Sequence, residues 1–164
     1  PYRRVLETKV NENNANDFIK LNGQISDEEL VDIYEKSSLS VLAHTLLENG
    51  DTEGCPTVFS EAMGHGLPVI GGDGAGADTA IVNGKNGFIV HSPDINQLTQ
   101  AIRSIFLDPE LANSMRLYGK AKLARDHDPK KNGMALETSI LRFVSNTLAE
   151  GYQRDFNERP ESIK

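Results

Sequence analysis

Two carboxylates frame the segment with the clearest chemical signal in the sequence. Glu53 opens the run Glu53-Gly54-Cys55-Pro56-Thr57, and Glu61 follows after seven intervening residues. Pro56-Thr57 reads as a helix start, with Val58, Ala62 and Met63 at helical spacing on an inward face. Glu61 then falls about one turn into that helix. The first N–H groups of a helix lack intrahelical partners and form the positive end of its dipole. Such an end suits a phosphate or diphosphate even in an acidic protein. Gly54 lets the backbone approach a ligand closely. Glu61 can accept both vicinal hydroxyls of a ribose, one on each oxygen. Glu53 can accept hydroxyls of a second sugar on the far side of the phosphates. Ribose, diphosphate and sugar in that order describe a nucleotide-sugar. The spacing alone carries nothing, because Glu150 and Glu158 repeat it in a polar carboxyl-terminal stretch.

The elements that must position these groups read as alternating strands and helices. Residues 1–16 give the end of a helix and a loop. Phe18-Ile19-Lys20-Leu21 carries a short strand signal, closed by Asn22-Gly23. Ser26-Asp27-Glu28-Glu29 is a capping box, followed by Leu30, Ile33 and Tyr34 at helical spacing. Leu39–Ala43 is a second strand, and a polar loop over 44–56 follows it. Gly66 ends the central helix in the left-handed manner. Leu67-Pro68-Val69-Ile70 is a third strand, leading to a Gly-rich turn over 71–76 and a short helix over 77–82. Gly87–Val90 is a fourth strand. Asp94 caps a helix with Leu98, Ala101, Ile102 and Ile105 on one face. Asp108-Pro109 opens another. A long helix over 130–149 carries Met134, Leu141, Val144 and Leu148 as a core-facing stripe. This order predicts an α/β fold with a doubly wound, Rossmann-like parallel sheet. Ligands in such sheets sit beyond the carboxyl ends of the strands.

Composition narrows the function classes. The chain has 164 residues with 24 acidic and 17 basic side chains, a net charge of −7. That disfavours a duplex nucleic-acid binder, which needs clustered Lys and Arg. The single cysteine, Cys55, excludes a disulfide framework and a cysteine-rich zinc site. No apolar run is long enough to span a membrane. Nothing at the amino terminus resembles a secretory signal. A cytoplasmic location follows as the expectation, with peripheral membrane attachment of a longer parent left open.

The run Glu53-Gly-Cys-Pro-Thr-Val-Phe-Ser-Glu61-Ala-Met-Gly-His-Gly-Leu-Pro-Val-Ile70 resembles the donor-site segment of retaining GT-B glycosyltransferases, family 4 above all. The likeness continues through Asn83-Gly84-Lys85-Asn86-Gly87-Phe88-Ile89-Val90 and Asp108-Pro109-Glu110-Leu111. Upstream it includes Leu21-Asn22-Gly23-Gln24-Ile25-Ser26. It implies that residues 1–150 form the nucleotide-sugar donor-binding domain of the carboxyl-terminal half of a GT-B fold, shortened on its amino-terminal side. Residues 151–164 are then a polar tail. In the family's Glu-x7-Glu pattern, Glu53 takes the catalytic position at hydroxyls of the transferred sugar. Gly54, Cys55, Pro56, Thr57 and Val58 line the sugar and phosphates, and Glu61 holds the ribose. Gly23, Gln24 and Ile25 border the nucleobase. The resemblance implies transfer of a hexose from a UDP- or GDP-sugar to a glycan or glycolipid, as in polysaccharide biosynthesis, with no metal and no further cofactor.

The sequence departs from the family in three respects. The Arg and Lys that grip the diphosphate precede the segment present. The acceptor-binding amino-terminal domain is absent, and the resemblance implies that part of the Met134–Leu148 stripe, which packs toward that domain, is left exposed. Ala75-Gly76-Ala77-Asp78-Thr79 stands where many relatives have Gly-Gly-x-Pro-Glu. The isolated chain is therefore expected not to turn over. Two rival readings are an epimerase-like GT-B enzyme and a non-catalytic nucleotide-binding or interaction module. The Gly-rich run 71–76 lacks the Gly-x-Gly-x-x-Gly spacing of a dinucleotide site. His65 suits the negative end of its helix. His44, just past a strand, is either a loop residue or a contact to a phosphate.

Overall fold

The computed structural model describes residues 2–44, 57–74 and 76–157, with side chains described as far as Thr147. The chain divides into two units, 1–38 and 39–164.

The first unit holds α1 (Tyr2–Glu12) and α2 (Asp27–Lys36). The expected capping box is present. The Glu29 amide donates to Ser26 Oγ at 3.2 Å and the Ser26 amide donates to Glu29 Oε2 at 2.9 Å. Asp27, Glu28 and Glu29 crowd acidic charge into the first turn, where the helix dipole favours it. The strand expected over Phe18–Leu21 is not formed. The Phe18 and Ile19 amides both donate to the Ala15 carbonyl, so the backbone turns there. Among the described residues no neighbouring strand pairs with this segment. A strand exists only by pairing, which side-chain pattern cannot supply.

The second unit is built on a parallel three-stranded sheet in the order β1 (Ser40–Leu42), β2 (Val69–Gly72), β3 (Gly87–Val90). Ile70 sits beside Val41 on one neighbour and Phe88 on the other. All four residues of β2 are buried, as a central parallel strand requires. The sequence placed Gly71 and Gly72 in a turn, and both belong to β2 instead. They pair with Leu42, Ile89 and Val90, which fixes them as extended chain. Gly87 leaves no room for a side chain, because a Cβ there would overlap the Val69 carbonyl oxygen.

Helices cover both faces of the sheet. Ile70 and Val90 bury against Ala101 and Ile105 of α5 (Ile95–Leu107) and Met115 of α6 (Pro109–Asp126). Each of the larger side chains, Ile70, Val90, Ile105 and Met115, contributes about 1.5–3 kcal/mol by leaving water. Gly71, one residue on, points the other way. It faces Phe59 of α3 (Thr57–Gly64), Ala77 of α4 (Ala77–Ala80) and Ile81. Asp94 and Asp108 cap α5 and α6 through pairs of backbone N–H donors, as their positions predict. The end of α3 is a Schellman turn. Gly66 has φ 80°, its amide donates to the Met63 carbonyl, and the Leu67 amide donates to that of Ala62.

The last helix, α7 (Pro129–Asn157), runs past the end expected for it. Met134, Leu141 and Val144 were expected to pack in the core, yet they are exposed, as are Leu136, Ile140 and Phe143. Periodicity identifies an apolar face but not what covers it. No helix among the described residues is long and apolar enough to cross a membrane.

Candidate functional site

The start of α3 lies beside the carboxyl end of β1, and its Phe59 packs on Gly71 of β2. Thr57 and Val58 occupy its first two positions, where backbone N–H groups have no intrahelical acceptor. Phe59, in the same turn, is fully buried, and its ring lies 6.2 Å from that of His44, just past β1. That contact sets the amino end of α3 beside the outlet of β1. Glu61 stands in the second turn of α3 and is exposed, while Ala62 and Met63 turn into the core. The helix therefore separates one carboxylate on its outer side from the apolar face that fixes its position. Glu53, Gly54, Cys55 and Pro56 lie outside the described residues.

Gly23, Gln24 and Ile25 belong to the first unit. Gly23 has φ 74°, a left-handed conformation that favours glycine. Gln24 is exposed and Ile25 half-buried ahead of the Ser26 cap. The structure thus brings Thr57, Val58 and Glu61 together on one helix and sets Gly23–Ile25 in a turn of the other unit.

Sequence reasoning missed a polar cluster along the same sheet edge. Asp73 follows β2 and His91 follows β3, and their side chains form a short hydrogen bond through His91 Nδ1. The Ser92 amide donates to the other Asp73 oxygen at 3.1 Å. Ser92 Oγ donates to the Ala43 carbonyl at 3.4 Å, and so joins the third strand end. The His91 ring, helped by the Ser92 amide, holds the Asp73 carboxyl below its usual range. Asp73 in turn raises the His91 imidazole above its usual value, with a smaller push from Asp94. The available signal was positional, since both residues are the first beyond a strand. Their pairing across 18 positions has no sequence signature. A cleft of about 70 Å³ lies between Ala43, His91, Pro93 and Leu98, too small for a nucleotide.

Behind this edge, two buried polar groups fix the loops that follow β2. Asn86 is fully buried. It accepts from the Val82 amide at 2.7 Å and donates to the Ala80 carbonyl at 2.9 Å. Lys122 of α6, 8% exposed, donates to the Thr79 carbonyl at 3.1 Å and to Asp126 at 2.7 Å. Gly76 starts α4 with φ 91°, and α4 is only four residues long. The Gly-rich run therefore ends a strand and leads into one helical turn. Among the described residues no three His, Cys, Asp or Glu side chains gather as a metal site.

The sequence matches the family model described as glycosyl transferases group 1 over residues 1–122. It is 34% identical over 70 residues to a GDP-mannose-dependent alpha-(1-6)-phosphatidylinositol monomannoside mannosyltransferase from Mycolicibacterium smegmatis. That match covers 43% of this chain and 18% of the relative. The sucrose-phosphate synthase of Thermosynechococcus elongatus superposes with a TM-score of 0.73 at 24% identity, covering 88% of this chain and 35% of that one. The pneumococcal O-GlcNAc transferase GtfA, in complex with UDP and GlcNAc, gives 0.65 at 25% identity, over 86% and 27%. The chain spans about a third or less of the length of these relatives. The parallel α/β sheet expected from the sequence is present, and its structural neighbours are GT-B glycosyltransferases. With three quarters of its length inside the family match, the chain belongs to the glycosyl transferases group 1 family.

Proposed function

We propose that this chain is the donor-binding domain of a retaining hexosyltransferase that uses a UDP- or GDP-sugar. The observation that carries the reading is the placement of α3. Its first turn stands at the outlet of β1, and Glu61 projects from its outer side one turn later. Related proteins supply the ligand class: one is named for GDP-mannose and another was solved with UDP and GlcNAc.

In this reading Glu61 accepts the two ribose hydroxyls. The amides of Thr57 and Val58 face the diphosphate, where they and the helix dipole stabilise charge that grows as the sugar leaves. Glu53 accepts hydroxyls of the transferred hexose, with Gly54, Cys55 and Pro56 lining the sugar. Gly23, Gln24 and Ile25 border the nucleobase. The anomeric carbon breaks its bond to the diphosphate oxygen and forms one to an acceptor hydroxyl. The acceptor hydroxyl gives its proton to the departing diphosphate oxygen, the nucleoside diphosphate leaves, and configuration is retained. The acceptor, a glycan or glycolipid, is held by the domain that completes the enzyme. Residues 1–150 make up the donor domain and 151–164 a tail, and the enzyme works in the cytoplasm, without a metal.

The test is Glu53→Ala in the full-length enzyme. Hexose transfer is expected to fall at least tenfold while affinity for the bare nucleoside diphosphate is retained. Wild-type transfer by that variant would remove Glu53 from the sugar site.

A further inference from the structure

His44 holds a ring nitrogen that nothing in the described chain satisfies. Its Nδ1 lies 3.1 Å from the Leu42 carbonyl oxygen. A carbonyl only accepts, so Nδ1 carries the proton and donates it. In the neutral ring that leaves Nε2 as a lone-pair acceptor. Nε2 is closed to solvent and meets no donor among the described residues. A buried acceptor without a partner is costly and calls for an explanation. The residue is also held in place. A Cβ on Gly72 would overlap the His44 carbonyl oxygen, so the backbone past β1 lies tight against the end of β2. Phe59 stands on its flank, with ring planes inclined at 48°.

We propose that His44 Nε2 accepts a hydrogen bond from a sugar hydroxyl of the nucleotide-sugar, reached as the ligand seats at the start of α3. The proposal rests on the donor-site reading above. The chemistry excludes the diphosphate and admits the hydroxyl. An ionised diphosphate offers only acceptors, which a lone pair repels, whereas ribose and hexose carry O–H donors. The proton locked on Nδ1 keeps the ring in the tautomer that can receive one. His44 would then read hydroxyls on the β1 side of the site.

Long-range proton–nitrogen spectra of the labelled full chain test this, with His44 assigned by its loss in His44→Gln. Before ligand, Nδ1 should appear protonated and Nε2 pyridine-like. Probes are UDP, its 2′,3′-dideoxy analogue and UDP-glucose, with the guanosine and mannose counterparts alongside. A shift of Nε2 with UDP that the dideoxy analogue does not give assigns a ribose hydroxyl. A shift confined to the nucleotide-sugar assigns a hexose hydroxyl. An equal shift with the dideoxy analogue would overturn the proposal in favour of base or phosphate. No shift of Nε2 while the amides of Thr57–Glu61 respond would overturn it and leave the donor site standing. If those amides are silent as well, the donor-site reading fails and takes the proposal with it. His44→Phe separates the structural alternative: it keeps a ring and removes the orphan acceptor. The proposal expects folding stability to hold or rise while nucleotide-sugar affinity drops about tenfold. Unchanged affinity would contradict it.

Discussion

Asp73 and His91 share a hydrogen bond across the carboxyl ends of β2 and β3, eighteen residues apart in sequence. With Ser92 bonded to both Asp73 and the Ala43 carbonyl, this cluster joins the outlets of all three strands. It borders the edge where an α/β sheet binds its ligands. Both side chains are solvent-exposed, so the pair adds alignment more than stability.

The pair has a defined pH window. The folded Asp73 value lies below the ordinary 3.8, so its contribution is complete above that pH and fades as pH falls through the lower folded value. The folded His91 value lies above 6.5, so its contribution is complete below that pH and fades as pH rises through the higher folded value. Both groups therefore support the fold most between about pH 4 and 6.5. The denaturant midpoint of wild type minus that of His91→Gln should be largest there, shrink toward pH 9, and narrow in 1 M salt. A difference independent of pH would show that the ion pair is not formed.

Asn86 predicts a larger loss. Its side chain satisfies the Val82 amide and the Ala80 carbonyl in a site without solvent. Asn86→Ala strands both, at a cost of about 2–4 kcal/mol in urea unfolding. A loss under about 0.5 kcal/mol would mean that the loop finds other partners.

Lys122 ties α6 to the end of α4 through the Thr79 carbonyl. Arg125 and then Lys122 hold the Asp126 carboxyl down at about 2. Lys122→Met keeps the apolar stem and removes the donor. The expected loss is about 1–3 kcal/mol, read as a lower denaturant midpoint at pH 7. An unchanged midpoint would place the ammonium outside that contact.

Glu61 gives the prediction closest to function. Glu61→Ala should weaken UDP and GDP binding by about 1–3 kcal/mol, the cost of losing a charged hydrogen-bond acceptor. Calorimetric titration of variant and wild type measures it, and equal affinities would remove Glu61 from the ribose site.

Features encoded by local chemistry were legible in the sequence. Ser26 with Glu29, Asp94, Asp108-Pro109 and Gly66 each mark a helix end through groups within a few residues, and each stands as expected. Features that need a distant partner were not. The apolar run Phe18–Leu21 has strand composition but no ladder to join. Gly71 and Gly72 look like a turn until β1 and β3 pair with them. The face of α7 is apolar in pattern, yet pattern does not name its cover. In the site, the helix start at Thr57 and the inward turn of Ala62 and Met63 followed from sequence spacing. Asp73–His91 and the orphan nitrogen of His44 depend on strand ends meeting in space.

The central claim is that the start of α3 binds a nucleoside diphosphate. An amide NMR titration of the full chain with UDP, then GDP, tests it most directly. The account predicts shifts concentrated on Gly23–Ile25 and Thr57–Glu61, stronger for one base than the other and reduced in Glu61→Ala. Spectra unchanged at millimolar concentrations of both nucleotides would contradict it.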